Sequence, residues 1–401
     1  MGETELRLVR LALTDFRNYP HLVWQPDSRL VCITGPNGAG KTNLLEAISL
    51  LVPGRGLRGA RAPDLGRHDP SGTPWPWAIN GRFTTPTGEL EIATGTLTGA
   101  GQPPAERRVF RLDGQPARSQ AAIGARLAAV WLTPQMDRLF VEGAAARRRF
   151  LDRLVFALEP GHAREAGAHD HAVTSRNRLL ARATTTPAWL AGVEDSIARH
   201  AVALTAARLG LVRALTAALA DGAAAGFPVA RLRLLCPIAD RLATAPALAV
   251  EDWLRASLAA ARATDTATGS TALGAHRTDL ALSDESGLDA ALASTGQQKA
   301  LLVGTILGHA ALIQQARGFA PLLLLDEPAV HLDEDKRRKL FTALAKLTAQ
   351  AFITGTDADV FKPLEGQAKG FEIGQGSALD PPGGRPLYRL GTYLTGVRRH
   401  V

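Results

Sequence analysis

The eight residues Gly35–Thr42, reading GPNGAGKT, constrain this chain more than any other segment. They fit G-x-x-x-x-G-K-[ST], with the apolar run LVCIT before them and the helical pattern TNLLEAISLLV overlapping their end. A strand that turns through glycines into a helix aims backbone N–H groups and a helix N-terminus at one point, and that point suits a phosphate group. Gly38 and Gly40 supply the curvature, while Gly35, Pro36, Asn37 and Ala39 complete the loop. Lys41 is then placed to reach β- and γ-phosphates, and the Thr42 hydroxyl to ligate Mg²⁺. The expectation is a nucleotide site for ATP and Mg²⁺ in an α/β domain.

Such a site needs an acidic partner for the metal. Leu322–Glu327, LLLLDE, is a buried-strand pattern ending in two carboxylates. Asp326 would emerge at the strand's C-terminal edge to hold the metal shell. Glu327, next to it, is placed to act as general base on an attacking water. Between the two motifs lies STGQQKALLVGTIL, where Ser294 and Gly296 open a helical pattern, as an N-cap would.

The spacing of these motifs sets the organisation. From Lys41 to Asp326 is about 285 residues, too short for long coiled-coil arms. Short alternating segments between 75 and 115, broken by Pro-Thr-Gly and by Gly-Gln-Pro-Pro, read as an antiparallel meander. From 142 to 262 the chain turns to Ala/Leu/Arg helices, and Leu190, Val193, Ile197, Ala201, Leu204, Leu211, Leu215 and Ala218 predict one long amphipathic helix. A Thr/Ala/Gly-rich joint at 263–272 precedes the returning strand and helix signals. The expected division is therefore 1–141, an N-terminal ATPase part; 142–265, a helical insert; and 266–401, the C-terminal ATPase part. At 401 residues, two lobes are expected on size alone.

Composition adds exclusions. With 46% hydrophobic and 21% charged residues the chain is neither disordered nor membrane-spanning in character. The apolar run at 300–313 is short and contains His309; that at 196–219 carries Arg199, Arg208 and Arg213. Two cysteines, Cys32 and Cys236, exclude a disulfide scaffold, and with the N-terminal pattern MGETELRLVRLALTDF they point to the cytoplasm. The net charge of +8 suits nucleic acid, yet only 7 of the 46 basic residues are lysine, and an arginine-rich, GC-biased composition produces the same excess.

Several segments together resemble the RecF family of bacterial DNA replication and repair ATPases, relatives of the SMC-type heads. They are LTDFRNYP (13–20), LTPQMDRLFVEGAAARRRFLD (132–152), SRNRLLAR (175–182), GAHRTDL (274–280), STGQQKALLV, LLLLDEPAVHLDEDKR and FITGTD. The resemblance implies an ABC-type P-loop ATPase head of α/β class, with an antiparallel β subdomain and an inserted helical lobe. It implies weak ATP hydrolysis and an ATP-dependent homodimer in which Ser294 and Gly296, as an ABC-type signature, meet the nucleotide of the opposite subunit. Gln135 then falls where such ATPases sense Mg²⁺ and the attacking water, and Asp333 where they link the two sites. Thr356 and Asp357 fall where they place a γ-phosphate sensor. Glu327 stands where many members have Asp, and His331 where a small polar residue is expected. The resemblance further implies single- and double-stranded DNA at gaps, help to RecA loading with RecO and RecR, and no membrane. Arg55, Arg58 and Arg61, with Arg147, Arg148 and Arg149, are the candidate DNA contacts, although a run of arginines is more often a solvated helix face. Two other classes accommodate the P-loop and its acidic pair: a soluble motor for a membrane partner, and a DNA-binding protein with a vestigial nucleotide site.

Overall fold

The structure, a computed structural model, describes residues 5–96, 108–182, 186–374 and the backbone of 388–389. They form two compact units. The first takes in the described residues through Met136, Ala225–Phe227 and those from Ile313 onward; the second takes in Asp137–Ala224 and Pro228–Leu312. In chain order the first unit begins with β1 (Arg7–Phe16), β2 (Tyr19–Trp24), β3 (Leu30–Thr34), α1 (Lys41–Ser49), β4 (Ala78–Thr85), β5 (Gly88–Thr96), β6 (Arg108–Leu112), β7 (Gln115–Pro116), α2 (Gln120–Arg126) and β8 (Ala129–Leu132). The second holds α3 (Ala144–Leu158), α4 (His162–Leu180), α5 (Pro187–Ala220), β9 (Arg231–Leu235), α6 (Pro237–Leu242), α7 (Ala247–Ala260), α8 (Arg262–Thr268), β10 (Asp279–Ser283) and most of α9 (Thr295–Arg317). The chain re-enters the first unit for β11 (Leu322–Leu325), α10 (Glu334–Lys346), β12 (Ala351–Thr354), β13 (Ala368–Glu372) and β14 (Tyr388–Arg389).

The first unit contains two six-stranded sheets. One is antiparallel in the order β2-β1-β4-β5-β6-β7; the other is parallel in the order β14-β13-β3-β12-β11-β8. Residues of β4 alternate between buried and more exposed, as a sheet with one covered face requires. By contrast β3, β8, β11 and β12 are buried at every position, which is why LVCIT and LLLL read as unbroken apolar runs. The sheets are joined by Trp24 of β2, whose ring meets Phe352 and Phe371 edge-on at 5.7 and 5.1 Å. Gln350, fully buried, adds a polar tie: its Oε1 accepts from the Leu8 N–H at 2.7 Å and its Nε2 donates to the Leu8 carbonyl at 3.2 Å. The meander expected between 75 and 115 is β4–β6, and its Gly-Gln-Pro-Pro break at 101–104 lies outside the described residues.

The second unit is the helical lobe, with α5 as its core. By length and composition α5 is the one helix among the described residues apolar enough to cross a membrane, but its buried residues include Ile197, Leu204, Leu211 and Leu215 and an ion-paired Arg208. Three features depart from the reading of the sequence. The lobe contains a two-stranded antiparallel sheet in which Leu235 faces Asp279 and Arg231 faces Ser283, so it is not wholly helical. The joint placed at 263–272 is mostly α8, held down because Asp265 is buried in an ion pair with Arg176 at 2.6 Å. The boundary placed at 265/266 falls instead within α9, because β10 pairs with β9 and α9 packs through Leu312 as part of the lobe.

Candidate active site

Parallel pairing of β3, β12, β11 and β8 brings four strand ends to one edge of the sheet. The residues that follow them are the loop Gly35–Gly40, Gly355, Asp326 and Thr133–Gln135. In the loop, Gly35 and Gly40 have φ of 142° and 109°, and a Cβ on either would collide: on Gly35 with the Ile373 carbonyl oxygen at 2.4 Å, on Gly40 with the Asn18 amide at 2.5 Å. The loop is braced from the β1–β2 turn. Asn18 Nδ2 donates to the Ala39 carbonyl and the Tyr19 hydroxyl to the Gly40 carbonyl, each at 3.1 Å. Arg17 in the same turn forks onto both carboxylate oxygens of the buried Glu46 in α1 at 2.9 Å, fixing the helix that begins at Lys41. The RNYP turn was legible as a turn; its grip on a loop some twenty residues away was not.

Lys41 is buried and folds back on its own loop, donating to the carbonyls of Gly35 at 2.6 Å and Pro36 at 3.1 Å. A cation held by two carbonyl dipoles at a glycine-lined cradle can exchange them for phosphate oxygens, which are stronger acceptors. Beside it, the Thr42 hydroxyl donates to Asp326 Oδ1 at 3.0 Å, and the Thr354 hydroxyl donates to the same oxygen at 2.7 Å. Thr354 Oγ1 in turn accepts from the Glu327 N–H at 2.9 Å. Hydroxyl and carboxylate oxygens converging in this way are hard donors of the kind Mg²⁺ takes. Glu327 itself sits at φ 50°, in the left-handed region, its backbone anchored by Thr354 while its carboxylate is partly exposed. The sequence reading did not single out Thr354; a hydroxyl ending an apolar run next to the phosphate strand was the available signal.

Gln135 lies in the turn after β8, exposed, at the same sheet edge as Asp326, whose N–H donates to the Leu132 carbonyl at 2.9 Å. Thr356 is exposed, and Asp357 caps the following turn by accepting from the Asp359 N–H at 3.0 Å. Asp333 caps α10, its Oδ1 accepting from the Lys336 N–H at 2.8 Å, and this backbone bond with the Lys336 ammonium holds its carboxyl below the ordinary range. His331, at φ 65°, is exposed two residues earlier.

Within the second unit Ser294 opens α9 as a capping box. Its N–H donates to Gln297 Oε1 at 2.9 Å, and the Gln297 N–H returns a longer bond to its hydroxyl at 3.4 Å. Ser294 is exposed and Gly296 half-buried, so the cap leaves this helix end accessible. Lys299, one turn on, is buried in an ion pair with Asp137 at 2.7 Å.

The six candidate arginines differ in what they already hold. Arg147 forks onto Asp279 with two bonds of 2.8 Å, and Arg148 donates to the Thr278 carbonyl at 2.9 Å. Arg58 reaches Asn43 and Glu46, and Arg61 pairs with Asp64. Arg55 and Arg149 are exposed without a hydrogen-bond partner among the described residues.

A family model described as RecF/RecN/SMC N terminal domain matches residues 7–372. The DNA replication and repair protein RecF of Mesorhizobium japonicum is 44% identical over 375 residues, covering 93% of this chain and 97% of that one. The corresponding RecF of Rhizobium etli is 43% identical over 376 residues, covering 93% and 98%. Among solved structures, the recombination mediator protein RecF-ATPrS of the RecFOR pathway superposes with a TM-score of 0.78 at 22% identity, over 89% of this chain and 94% of that one. The RecF-ATP form gives 0.77 at 22% identity over 89% and 93%. These two likenesses speak for the fold.

Proposed function

The chain belongs to the RecF/RecN/SMC family as a RecF-type DNA replication and repair protein, and from that premise we propose that it is an ATP-gated, dimerising DNA clamp with slow Mg²⁺-dependent hydrolysis. One observation carries the nucleotide part: Thr42, Asp326, Thr354 and Glu327 form one hydrogen-bonded chain across three strand ends beside the Lys41 cradle. Gly35, Asn37, Gly38, Ala39 and Gly40 wrap the phosphates with backbone N–H groups, Pro36 shapes the loop without one, and Lys41 leaves its two carbonyls for the phosphates. Thr42 and Asp326, with Gln135 from the neighbouring strand end, hold Mg²⁺, which supplies charge neutralisation on the phosphoryl oxygens when bound. Glu327 accepts the proton of the attacking water. Thr354 keeps Asp326 aimed and Glu327 anchored.

Ser294 and Gly296 present the N-terminus of α9 to the γ-phosphate of a second copy, with Asp333 beside the join. Exposed apolar residues flank both segments: Leu292 is 79% exposed next to Ser294, and Val330 is 44% exposed next to His331 and Asp333. Both side chains have reason to be covered in the ATP state. ATP binding then favours the dimer by mass action and hydrolysis releases it. Arginines without internal partners, Arg55 and Arg149, are the foremost DNA phosphate contacts. The cytoplasm, single-strand gaps, RecO and RecR as partners and RecA as the indirect beneficiary complete the proposal.

Ser294→Arg tests it. A bulky cation at the end of α9 should leave nucleotide binding to the single chain unchanged while removing ATP-dependent dimers and ATP-dependent retention on DNA. Dimers that persist in this variant would reduce Ser294 to a helix cap and contradict the shared site.

A further inference from the structure

The helical lobe has a cavity of about 230 Å³ whose lining includes Arg148 and Arg149 of α3, His169 of α4, Arg208 of α5 and His276 of the GAHRTDL segment. Two carboxylates also line it. Asp152 already accepts both forks of Arg208 at 2.7 and 2.8 Å and the His162 ring at 2.9 Å, and Asp170 points largely to solvent, 3.7 Å from His169 Nδ1. The cavity wall is therefore predominantly cationic, with the donors of Arg149 free.

Two ring nitrogens on this wall have no partner. His276 Nε2 lies 2.9 Å from the Thr271 carbonyl, which only accepts, so Nε2 carries the proton and the buried Nδ1 is an acceptor without a partner. His169 is 1% exposed, and its Nε2 is buried without a hydrogen bond. Both nitrogens turn toward Gly274: a Cβ built there would lie 2.8 Å from His276 Nδ1 and 3.3 Å from His169 Nε2. Buried polar atoms are normally satisfied, and His169 Nε2, free to be the protonated nitrogen of its ring, is a donor left without an acceptor on an arginine-lined wall. The charges say the same. Burial and then the neighbouring Arg208 hold the Arg148 guanidinium below its ordinary range, and burial likewise lowers His276 despite its bond to Thr271. An anion would relieve both.

We infer that this cavity is an anion site of the helical lobe that takes one phosphate group, with Arg148, Arg149, His169 and His276 as its donors. At about 30 Å³ per water the volume equals roughly eight waters, room for a hydrated phosphate and too little for a base and sugar beside it. A guanidinium fork matches the tetrahedral oxyanion, His169 Nε2 donates in the tautomer that places the proton there, and His276 Nδ1 donates once an anion draws a proton onto its ring. The phosphate is either that of a nucleic-acid strand or free inorganic phosphate.

The test is magnetic-resonance titration of the full chain carrying isotope-labelled histidine, saturated with ADP and Mg²⁺ so that the P-loop is filled. Inorganic phosphate is added at constant ionic strength, with chloride as control, and His169→Gln and His276→Gln assign the signals. Saturable movement of the His169 and His276 signals with phosphate, absent with chloride, is expected. Arg149→Gln, at an exposed position without a partner, should fold normally and weaken that response about tenfold. Duplex DNA that displaces the phosphate identifies a strand phosphate as the occupant; DNA that leaves it in place identifies free phosphate. Signals that stay still up to tens of millimolar phosphate, an equal response to chloride, or an unchanged affinity in Arg149→Gln would overturn the site.

Discussion

Asp326 Oδ1 receives two hydroxyl bonds, from Thr42 and Thr354, and so couples the phosphate loop to the strand that ends in Asp-Glu. Thr354→Val keeps the shape of that buried residue but leaves the Glu327 N–H without its acceptor, at a cost of about 1–3 kcal/mol. Denaturant unfolding should register that loss, and hydrolysis should fall at least about tenfold as Glu327 loses its anchor. Wild-type turnover in Thr354→Val would remove this residue from the account. Glu327→Gln preserves hydrogen bonding without basicity, so phosphate release should drop by about 10² or more while nucleotide binding persists. Lys41→Ala should abolish binding of a fluorescent ATP analogue, since no other side chain replaces the ammonium that lies on Gly35 and Pro36. The loop and the acidic pair were legible because each is a local string whose meaning lies in its own order. Thr354, Asn18 and Tyr19 were not, because their contacts join positions 21 to 28 residues apart and nothing local marks them.

At the scale of elements, the helical lobe is built around buried arginines. Arg176, wholly buried, bonds to Glu194 at 3.0 Å, Asp265 at 2.6 Å, Thr271 at 2.9 Å and the Leu258 carbonyl at 2.7 Å, tying α4 to α5, α7 and α8. Removing one member of such a set strands the others, so Arg176→Ala should destabilise the lobe by about 3–5 kcal/mol. The SRNRLLAR segment is thus a structural one in this chain, and an Arg176→Ala protein with unchanged unfolding would contradict that reading. Asp152 gives the lobe its acid sensitivity. Burial alone would raise its carboxyl, but the His162 and Arg208 bonds bring it below the ordinary 3.8. The sign follows: its contribution is complete above that ordinary value and is lost as pH falls through the lower folded one. Asp152→Asn should be less stable than wild type at neutral pH, and the gap should close as the pH drops below about 4. Long α5 was plain from its 3/4 spacing, whereas β9 and β10 were not. Each is five residues long, and RLRLL shows its alternation only once a partner some forty residues onward is known.

Across the whole molecule the net charge of +8 overstates what is available to a polyanion, because many arginines are engaged internally. Arg55→Ala should therefore reduce the slope of log DNA affinity against log salt by about 1, and Arg147→Ala, whose guanidinium is locked on Asp279, should change it little. Equal effects would mean that the pairing with Asp279 opens on DNA. Two lobes were expected from chain length and a helical insert from the composition between the motifs, but the exact division was not legible, since α9 begins in the second unit and ends in the first. Above all, the account rests on ATP acting as a switch that joins two copies around DNA. The most direct measurement is the rate at which Glu327→Gln leaves a gapped duplex, followed with ATP and Mg²⁺ and again with ADP. Slow release with ATP, slower than wild type and speeding up steeply with salt, together with fast release in ADP, is the predicted result. Release that is equally fast with both nucleotides, or faster than wild type with ATP, would contradict a nucleotide-gated clamp.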